Sequence, residues 1–415
     1  MNTEAKDRPP PERYAALALQ LATACINDCP DRTAARERMT QNLARVGASV
    51  AASKGFIRQF SGIDVKLVVL PEYFLTGFPM GESIPVWRDK AALVIDGPEY
   101  QGLADIAAKS EGYLAGNAYE VDPHFPELYF QTCFIIAPNR ETVLRYRRMI
   151  SLSGPTPYDV WDRYLEIYGL DGVFPVADTP IGRLAAIASE EIQYPEIARM
   201  GAMRGAEVFV HSSSEVGSPS VSPKELGRRA RAAENIAYVV SANSAALTGT
   251  PIPAESTTGM SKVVDYYGQI LAEAAPGGES MVAYATIDLG ALRACRSKTG
   301  LSNVLVRQPY QAYADSYRDL VFHPANLLLD GGKARLPERR EFSEWQRADI
   351  ARLSGADGVH VGQDYKRLEA ARRRRAALAR SADSCASASP EPFSDMLTLM
   401  PVLLANTVCI MLHHS

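Results

Sequence analysis

Hydrophobic and polar positions along residues 15–290 change period repeatedly, and each change marks an element. Residues 16–23 (ALALQLAT) form a β-compatible or buried run and predict the first core strand. Over residues 31–53, Ala35, Met39, Leu43, Val46 and Val50 fall three or four apart, the stripe of an amphipathic helix. Residues 65–70 (VKLVVL) are short and largely apolar, as in a strand buried on both faces. Residues 101–109 predict a helix, and residues 112–119 and 129–137 predict strands. Residues 142–146 complete a hairpin with the latter across Pro138-Asn139-Arg140, and residues 158–172 read as a longer loop or short helix.

The sharpest transition lies in residues 182–214, GRLAAIASEEIQYPEIARMGAMRGAEVFVHSSS. It reads as an apolar strand over 184–188, a tight turn, a small-residue helix over 198–205 behind Pro195, and a second β run over 207–210. A helix over 228–236, a strand over 238–242, a hairpin of 261–265 with 269–272 about Gly268, and a strand over 281–287 follow. Helix, strand and hairpin thus alternate, which suits two sheets packed together with helices outside. A pure Rossmann order fits less well, because hairpins join several neighbouring strands.

Composition narrows the class. The chain has 415 residues, 47% of them hydrophobic and 22% charged, with a formal net charge of −4. That is ample for a core, and it gives no electrostatic case for nucleic acid. Six cysteines, at positions 25, 29, 133, 295, 385 and 409, are scattered rather than set in a disulfide framework, so a reducing compartment is expected. Cys25 and Cys29 lack a second pair or a nearby histidine, so no zinc is expected. Residues 1–12 are polar and proline-rich without an apolar signal core, and read as a disordered lead-in to a cytoplasmic protein.

Beyond residue 290 the order weakens. Residues 335–380 are charged and helical, ending in the basic run 372–375 and Arg380; residues 381–392 are a Ser/Ala/Pro linker. Residues 396–412 are apolar over 17 positions, the lower limit for a membrane span, and Pro401 and Asn406 interrupt them. An arm buried at a subunit interface is the preferred expectation for this tail; membrane contact and an unselected or mis-translated segment are the alternatives.

A strand-to-helix turn is where hydrolases expose a nucleophile, since it lifts one side chain clear of the sheet and aims backbone N–H groups at a developing oxyanion. The residue there is Ser189, followed by Glu190 and Glu191. A serine hydroxyl normally needs a well-placed histidine. His211 is the one candidate, and a strand-end histidine bonded to backbone is the other account of it. Glu72 follows a buried strand's C-terminal end, where active-site groups gather in α/β proteins; simple loop capping is the bland alternative.

Taken together, these residues resemble the nitrilase (carbon–nitrogen hydrolase) superfamily. LPEYFLTGFP around Glu72, Tyr146-Arg147-Arg148, Asp178 to Arg183, Glu191 with Tyr194-Pro195-Glu196, Glu234 to Tyr238 with Asn243, Gly259 to Asp265 with Gly268, and Ile287-Asp288-Leu289 carry the resemblance. It covers about residues 13–290. It implies an α/β fold, a four-layer α-β-β-α sandwich, with no metal or organic cofactor and assembly into a dimer or larger. The family's triad is Glu, Lys and Cys. Here the matching positions hold Glu72, Arg148 and Ser189, and the family's additional Glu best matches Glu166.

The resemblance places a carbon–nitrogen hydrolase-like domain at 13–290, an oligomerisation arm (303–325) and charged helix within 291–380, and linker and tail at 381–415. Its chemistry is hydrolysis of a small amide, nitrile or carbamoyl substrate. The alternatives are a silent pseudoenzyme that binds a small ligand, and an oligomeric scaffold. Arginine's planar fork is expected to clamp Glu72 bidentately and so withdraw it as a base. Glu190 adds negative charge beside the oxyanion position, and Cys133, inside a hairpin strand, reads as a buried structural thiol.

Overall fold

Strands with both faces apolar must be covered on both sides, and two sheets do this by covering one another. In the computed structural model, which describes residues 13–217, 221–318 and 321–354, each of the two main sheets has six strands. The first runs, in spatial order, Tyr284–Ile287, Tyr14–Ala18, Val65–Val69, Tyr113–Asp122, Phe125–Ile136 and Thr142–Arg147. The second runs Ile270–Glu273, Lys262–Val264, Tyr238–Asn243, Val208–Ser213, Gly182–Ala188 and Ala177–Thr179. Three strands at the heart of each sheet are parallel, and antiparallel partners finish the edges. The described residues up to Arg347 form one compact unit, and both sheets lie in it.

Strand alternation builds the layers. Ala16, Ala18, Leu67 and Val69 pack towards the second sheet, against Leu184, Ile187 and Val239, while Ala15, Leu17, Val68 and Leu70 pack towards helices on the outside. Those helices are Arg32–Ser61, Ile84–Ala91 and Pro98–Ser110; Pro195–Met203 and Pro223–Asn235 cover the other sheet. The result is the expected α-β-β-α sandwich.

The elements depart from expectation where polar groups take over. The first predicted strand splits into Tyr14–Ala18 and Ala22–Ala24, because Gln20 turns aside to donate to the carbonyls of Ala275, Gly277 and Gly278. The first helix runs on to Ser61, with Asp31 capping its start and Gly62, at φ 71°, ending it. Residues 158–172 resolve into a short 3₁₀ turn and the helix Trp161–Val173. The helix expected from residue 228 starts at Pro223, where Ser222 Oγ accepts from the Glu225 N–H at 3.1 Å. Helix Ile84–Ala91 had no counterpart in the sequence reading, being only eight residues long. The predicted lead-in 1–12, the charged stretch beyond 354, and the linker and tail 381–415 lie outside the described residues.

Candidate active site

Four strand ends meet at one edge of the sandwich. Val65–Val69 leads into Glu72, Thr142–Arg147 into Arg148, Gly182–Ala188 into Ser189, and Val208–Ser213 into Ser214. Glu72, Arg148, Ser189, Glu190 and Ser214 line a single cavity of about 490 Å³, with Tyr73, Tyr119, Tyr129 and Gln131 in its wall. That volume is ample for a small molecule. Among the described residues, no cluster of three or more His, Cys, Asp or Glu side chains is arranged to hold a metal ion.

Ser189 sits where the strand stops. The chain passes from Gly182–Ala188 through a 3₁₀ turn, Ser189–Gln193, into helix Pro195–Met203. Ser189 itself adopts φ 46°. A side chain resists this left-handed conformation, and such strain gathers at functional turns. Glu191 anchors the turn from below. Its Oε1 accepts the N–H groups of Met149 and Ile150 at 2.7 and 3.0 Å, and its Oε2 accepts the Tyr146 hydroxyl at 2.7 Å and the Ala188 N–H at 3.2 Å.

Alternation along the strand separates two neighbouring arginines. Arg147 turns to Asp122 at 2.5 Å and Glu120 at 3.3 Å, under the rings of Phe130, Tyr164 and Tyr168. Arg148 enters the cavity. Its Nη1 donates to Gln131 Oε1 at 2.6 Å, its Nε to the Ile150 carbonyl at 2.5 Å, and its Nη2 to Glu190. Burial opposes its charge, but Glu72, Tyr73 and Glu190 outweigh that and hold the guanidinium protonated.

The expected bidentate clamp on Glu72 does not form. Arg148 Nη1 stays 3.6 Å from Glu72 Oε1 because Gln131 spaces the two, donating its amide to Oε1 at 2.6 Å. The other Glu72 oxygen accepts the Ser214 N–H at 3.1 Å. The negative charge of Glu190 is met by Arg148 rather than left facing the cavity.

The remaining sequence candidates separate clearly. Glu166 lies on helix Trp161–Val173, 67% exposed and paired with Arg163 at 2.5 Å, and the cavity does not include it. His211 turns its Nε2–H to the Ser189 carbonyl at 2.8 Å and its Nδ1 to Ser241 Oγ at 2.8 Å, so it supports the backbone of the turn and not the hydroxyl. Burial and Arg228 keep it neutral. Cys133 is buried, receives the Asn117 amide at 3.4 Å, and has its thiol pushed up to about 12 by burial.

Of the cavity residues that the sequence did not single out, two contact the triad positions through their side chains, Gln131 and Lys224. Gln131 was visible as a polar residue inside the otherwise apolar run YFQTCFIIA. Lys224 reaches the cavity from the second position of helix Pro223–Asn235, with its Nζ 3.2 Å from Ser189 Oγ. Its signal was Ser222-Pro223-Lys224-Glu225, a helix start with a Ser cap, Pro next and Glu three residues on.

The sandwich thus carries, at one edge, a strained strand-to-helix turn and a buried carboxylate beside a cation. Residues 23–297 match the carbon–nitrogen hydrolase family, and the chain belongs to it. It is 28% identical over 249 residues to omega-amidase NIT2 of Bos taurus, across 59% of this chain and 84% of that protein. It is 31% identical over 188 residues to a formamidase of Bacillus cereus, across 45% of this chain and 52% of that one. A carbon–nitrogen hydrolase from Helicobacter pylori G27 shares the fold at a TM-score of 0.56, with 20% identity over 74% of this chain and 98% of that one.

Proposed function

We propose that this chain hydrolyses the carbon–nitrogen bond of a small amide-type substrate, with Ser189 as acyl acceptor and Glu72 and Arg148 completing the triad positions. The observation that carries this is the strained Ser189 turn opening on the same cavity as Glu72 and Arg148. Acyl transfer needs a nucleophile, a proton acceptor and positive charge where the oxyanion develops. Ser189 supplies the first, Arg148 a fixed cation with three of its five N–H donors engaged, and Glu72 a carboxylate on the same cavity to take a proton from the hydrolytic water. The amidase relatives support an amide over a nitrile or carbamoyl group.

The grip of Glu190 and Gln131 on Arg148 favours a second reading, a pocket that binds a small ligand without turnover. Ammonia release from a panel of small amides, nitriles and carbamoyl amines separates the two. Release by the wild type that is lost in Ser189→Ala supports the hydrolase. A silent wild type beside an active Ser189→Cys/Arg148→Lys pair supports the ligand-binding reading. The proposal includes a cytoplasmic dimer or larger, assembled through the arm within 303–325, where Tyr313 and Tyr317 are exposed. Light scattering after size-exclusion chromatography, with and without that arm, tests the assembly.

A further inference from the structure

Replacing a thiol by a hydroxyl changes what the site must supply. A thiol of pKa ~8.5 ionises with modest help, whereas an alcohol needs a strong base in contact with it. The groups around Ser189 are mostly spoken for. His211 spends its Nε2–H on the Ser189 carbonyl. Glu72 already accepts hydrogen bonds on both oxygens. Glu190 is held by Arg148. Lys224 Nζ alone stands within hydrogen-bond reach of Ser189 Oγ among the contacts of the described residues, at 3.2 Å.

We propose that Ser189 and Lys224 form a serine–lysine dyad in which a neutral Lys224 removes the hydroxyl proton as Ser189 attacks the substrate carbonyl. This rests on the hydrolase reading above and names the base within it. A neutral amine keeps a lone pair free to take the proton, whereas both Glu72 oxygens already accept hydrogen bonds. The dyad therefore gives the alcohol its proton acceptor and leaves Glu72 to the hydrolytic water.

The fold is built to hold Lys224 near Ser189 and to disfavour its charge. Lys224 lies in the first turn of a 13-residue helix, where the helix dipole opposes a cation. One turn later, Gly227 lets that helix press on the Ser189 turn; a Cβ there would stand 2.5 Å from the Ile192 carbonyl oxygen. Burial lowers the Lys224 pKa below the ordinary lysine value; Glu72 and Glu215 oppose the shift, and Arg228 and Arg148 add to it. The other charged groups lining the cavity are Glu190, engaged by Arg148, and Arg339.

The steps balance. Ser189 Oγ bonds to the carbonyl carbon while its proton passes to Lys224 Nζ, and the oxyanion forms beside Arg148. Collapse breaks the carbon–nitrogen bond, and the departing nitrogen takes the proton from the Lys224 ammonium. Water then attacks the Ser189 ester, giving one proton to the site, and that proton returns to Oγ as the ester bond breaks. The sum is amide plus water to carboxylic acid plus amine.

The test uses the full chain with p-nitrophenyl acetate as a small acylating probe, read by p-nitrophenolate release and by peptide mapping across pH 6–10. The wild type is expected to take acetyl on Ser189, with a rate that rises with pH to a plateau reached below the ordinary lysine pKa of ~10.4. Lys224→Met lowers that rate about 100-fold or more. Lys224→Arg keeps length and charge but cannot deprotonate, and falls equally. Ser189→Cys in the Lys224→Met background still labels at position 189, because a thiol needs less help. Acetylation of Ser189 at wild-type rate in Lys224→Met or Lys224→Arg overturns the dyad and leaves the hydrolase reading standing. A wild type that takes no acetyl on Ser189 at any pH overturns both. Acetyl found on Lys224, equally in wild type and Ser189→Ala, also overturns the dyad, since the amine then acts without the hydroxyl.

Discussion

Tyr146 donates its hydroxyl to Glu191 across 2.7 Å, and this one buried contact joins the strand that delivers Arg148 to the turn that delivers Ser189. The same carboxylate takes three backbone N–H groups from both segments. The segments that bear Arg148 and Ser189 are thus joined by a single side chain that never reaches the cavity wall. Tyr146→Phe keeps the ring and removes one of four donors. It is expected to cost about 1–2 kcal/mol in urea unfolding and to leave Glu191 in place. Unchanged stability would show that the hydroxyl contributes nothing to the joint.

Burial pushes the Glu191 carboxyl up to about 7, with Arg148, Tyr146 and the N–H groups of Met149 and Ile150 pulling it back in part. An acid whose pKa is higher in the folded state holds its proton more tightly when folded. The stability it contributes is therefore full below about 4.5, its unfolded value, and is lost as pH rises through about 7. The window is worth about 3 kcal/mol at most. Urea midpoints measured from pH 4.5 to 8 should fall more steeply in the wild type than in Glu191→Gln, which has no proton to lose. Parallel slopes for the two proteins would contradict this.

Much of the site could be read from the chain because its pieces follow strong punctuation. Glu72 ends a run of apolar strand residues, Arg148 follows a hairpin, and Ser189 stands between an apolar strand and a Pro-started helix. The pairings within the site could not be read, because they depend on which face a neighbour turns. Gln131 spaces Arg148 from Glu72, and nothing in either motif announces it. Lys224 was hidden for a different reason: the first turn of its helix carries no apolar stripe, so periodicity located the helix only from residue 228. Glu166 shows the converse error. Order along the chain brought it between Arg148 and Ser189, while the helix that carries it points it to solvent beside Arg163.

The left-handed backbone at Ser189 yields a prediction that separates strain from chemistry. At φ 46° a Cβ is unfavourable and glycine is not. Ser189→Gly should therefore be about 1 kcal/mol more stable than Ser189→Ala in urea titration, although both lack the hydroxyl. Equal stability for glycine and alanine would mean that the turn is relaxed and that its geometry stores nothing for the reaction.

His211 is predicted to position rather than to titrate. Its Nε2–H is committed to the Ser189 carbonyl and its Nδ1 to Ser241, whose oxygen also accepts Arg228 Nε at 2.9 Å. His211→Phe leaves that carbonyl and Ser241 without their buried partner and should cost about 2–3 kcal/mol. The acylation rate at Ser189 should drop, but the pH at which it reaches half its plateau should stay where it is in the wild type. A shift of that midpoint towards alkaline pH would instead make His211 a proton carrier.

Gly227 sets how closely the helix that bears Lys224 can approach the Ser189 turn. A Cβ at this position meets the Ile192 carbonyl carbon at 3.1 Å as well as its oxygen at 2.5 Å, and both atoms are backbone, so no side chain can swing away to make room. Gly227→Ala gains helix propensity, worth about 1 kcal/mol, yet overpacks a rigid contact at a cost of about 1–3 kcal/mol. The variant should be neutral to moderately less stable. Because Lys224 sits three residues earlier on the same helix, the displacement should move Nζ away from Oγ and slow Ser189 acylation more than it lowers the unfolding midpoint. The check compares Gly227→Ala with Gly227→Ser by both readouts. Wild-type acylation in a variant that keeps its fold would show that the helix can give way without carrying Lys224 out of reach, and that the close packing serves stability alone.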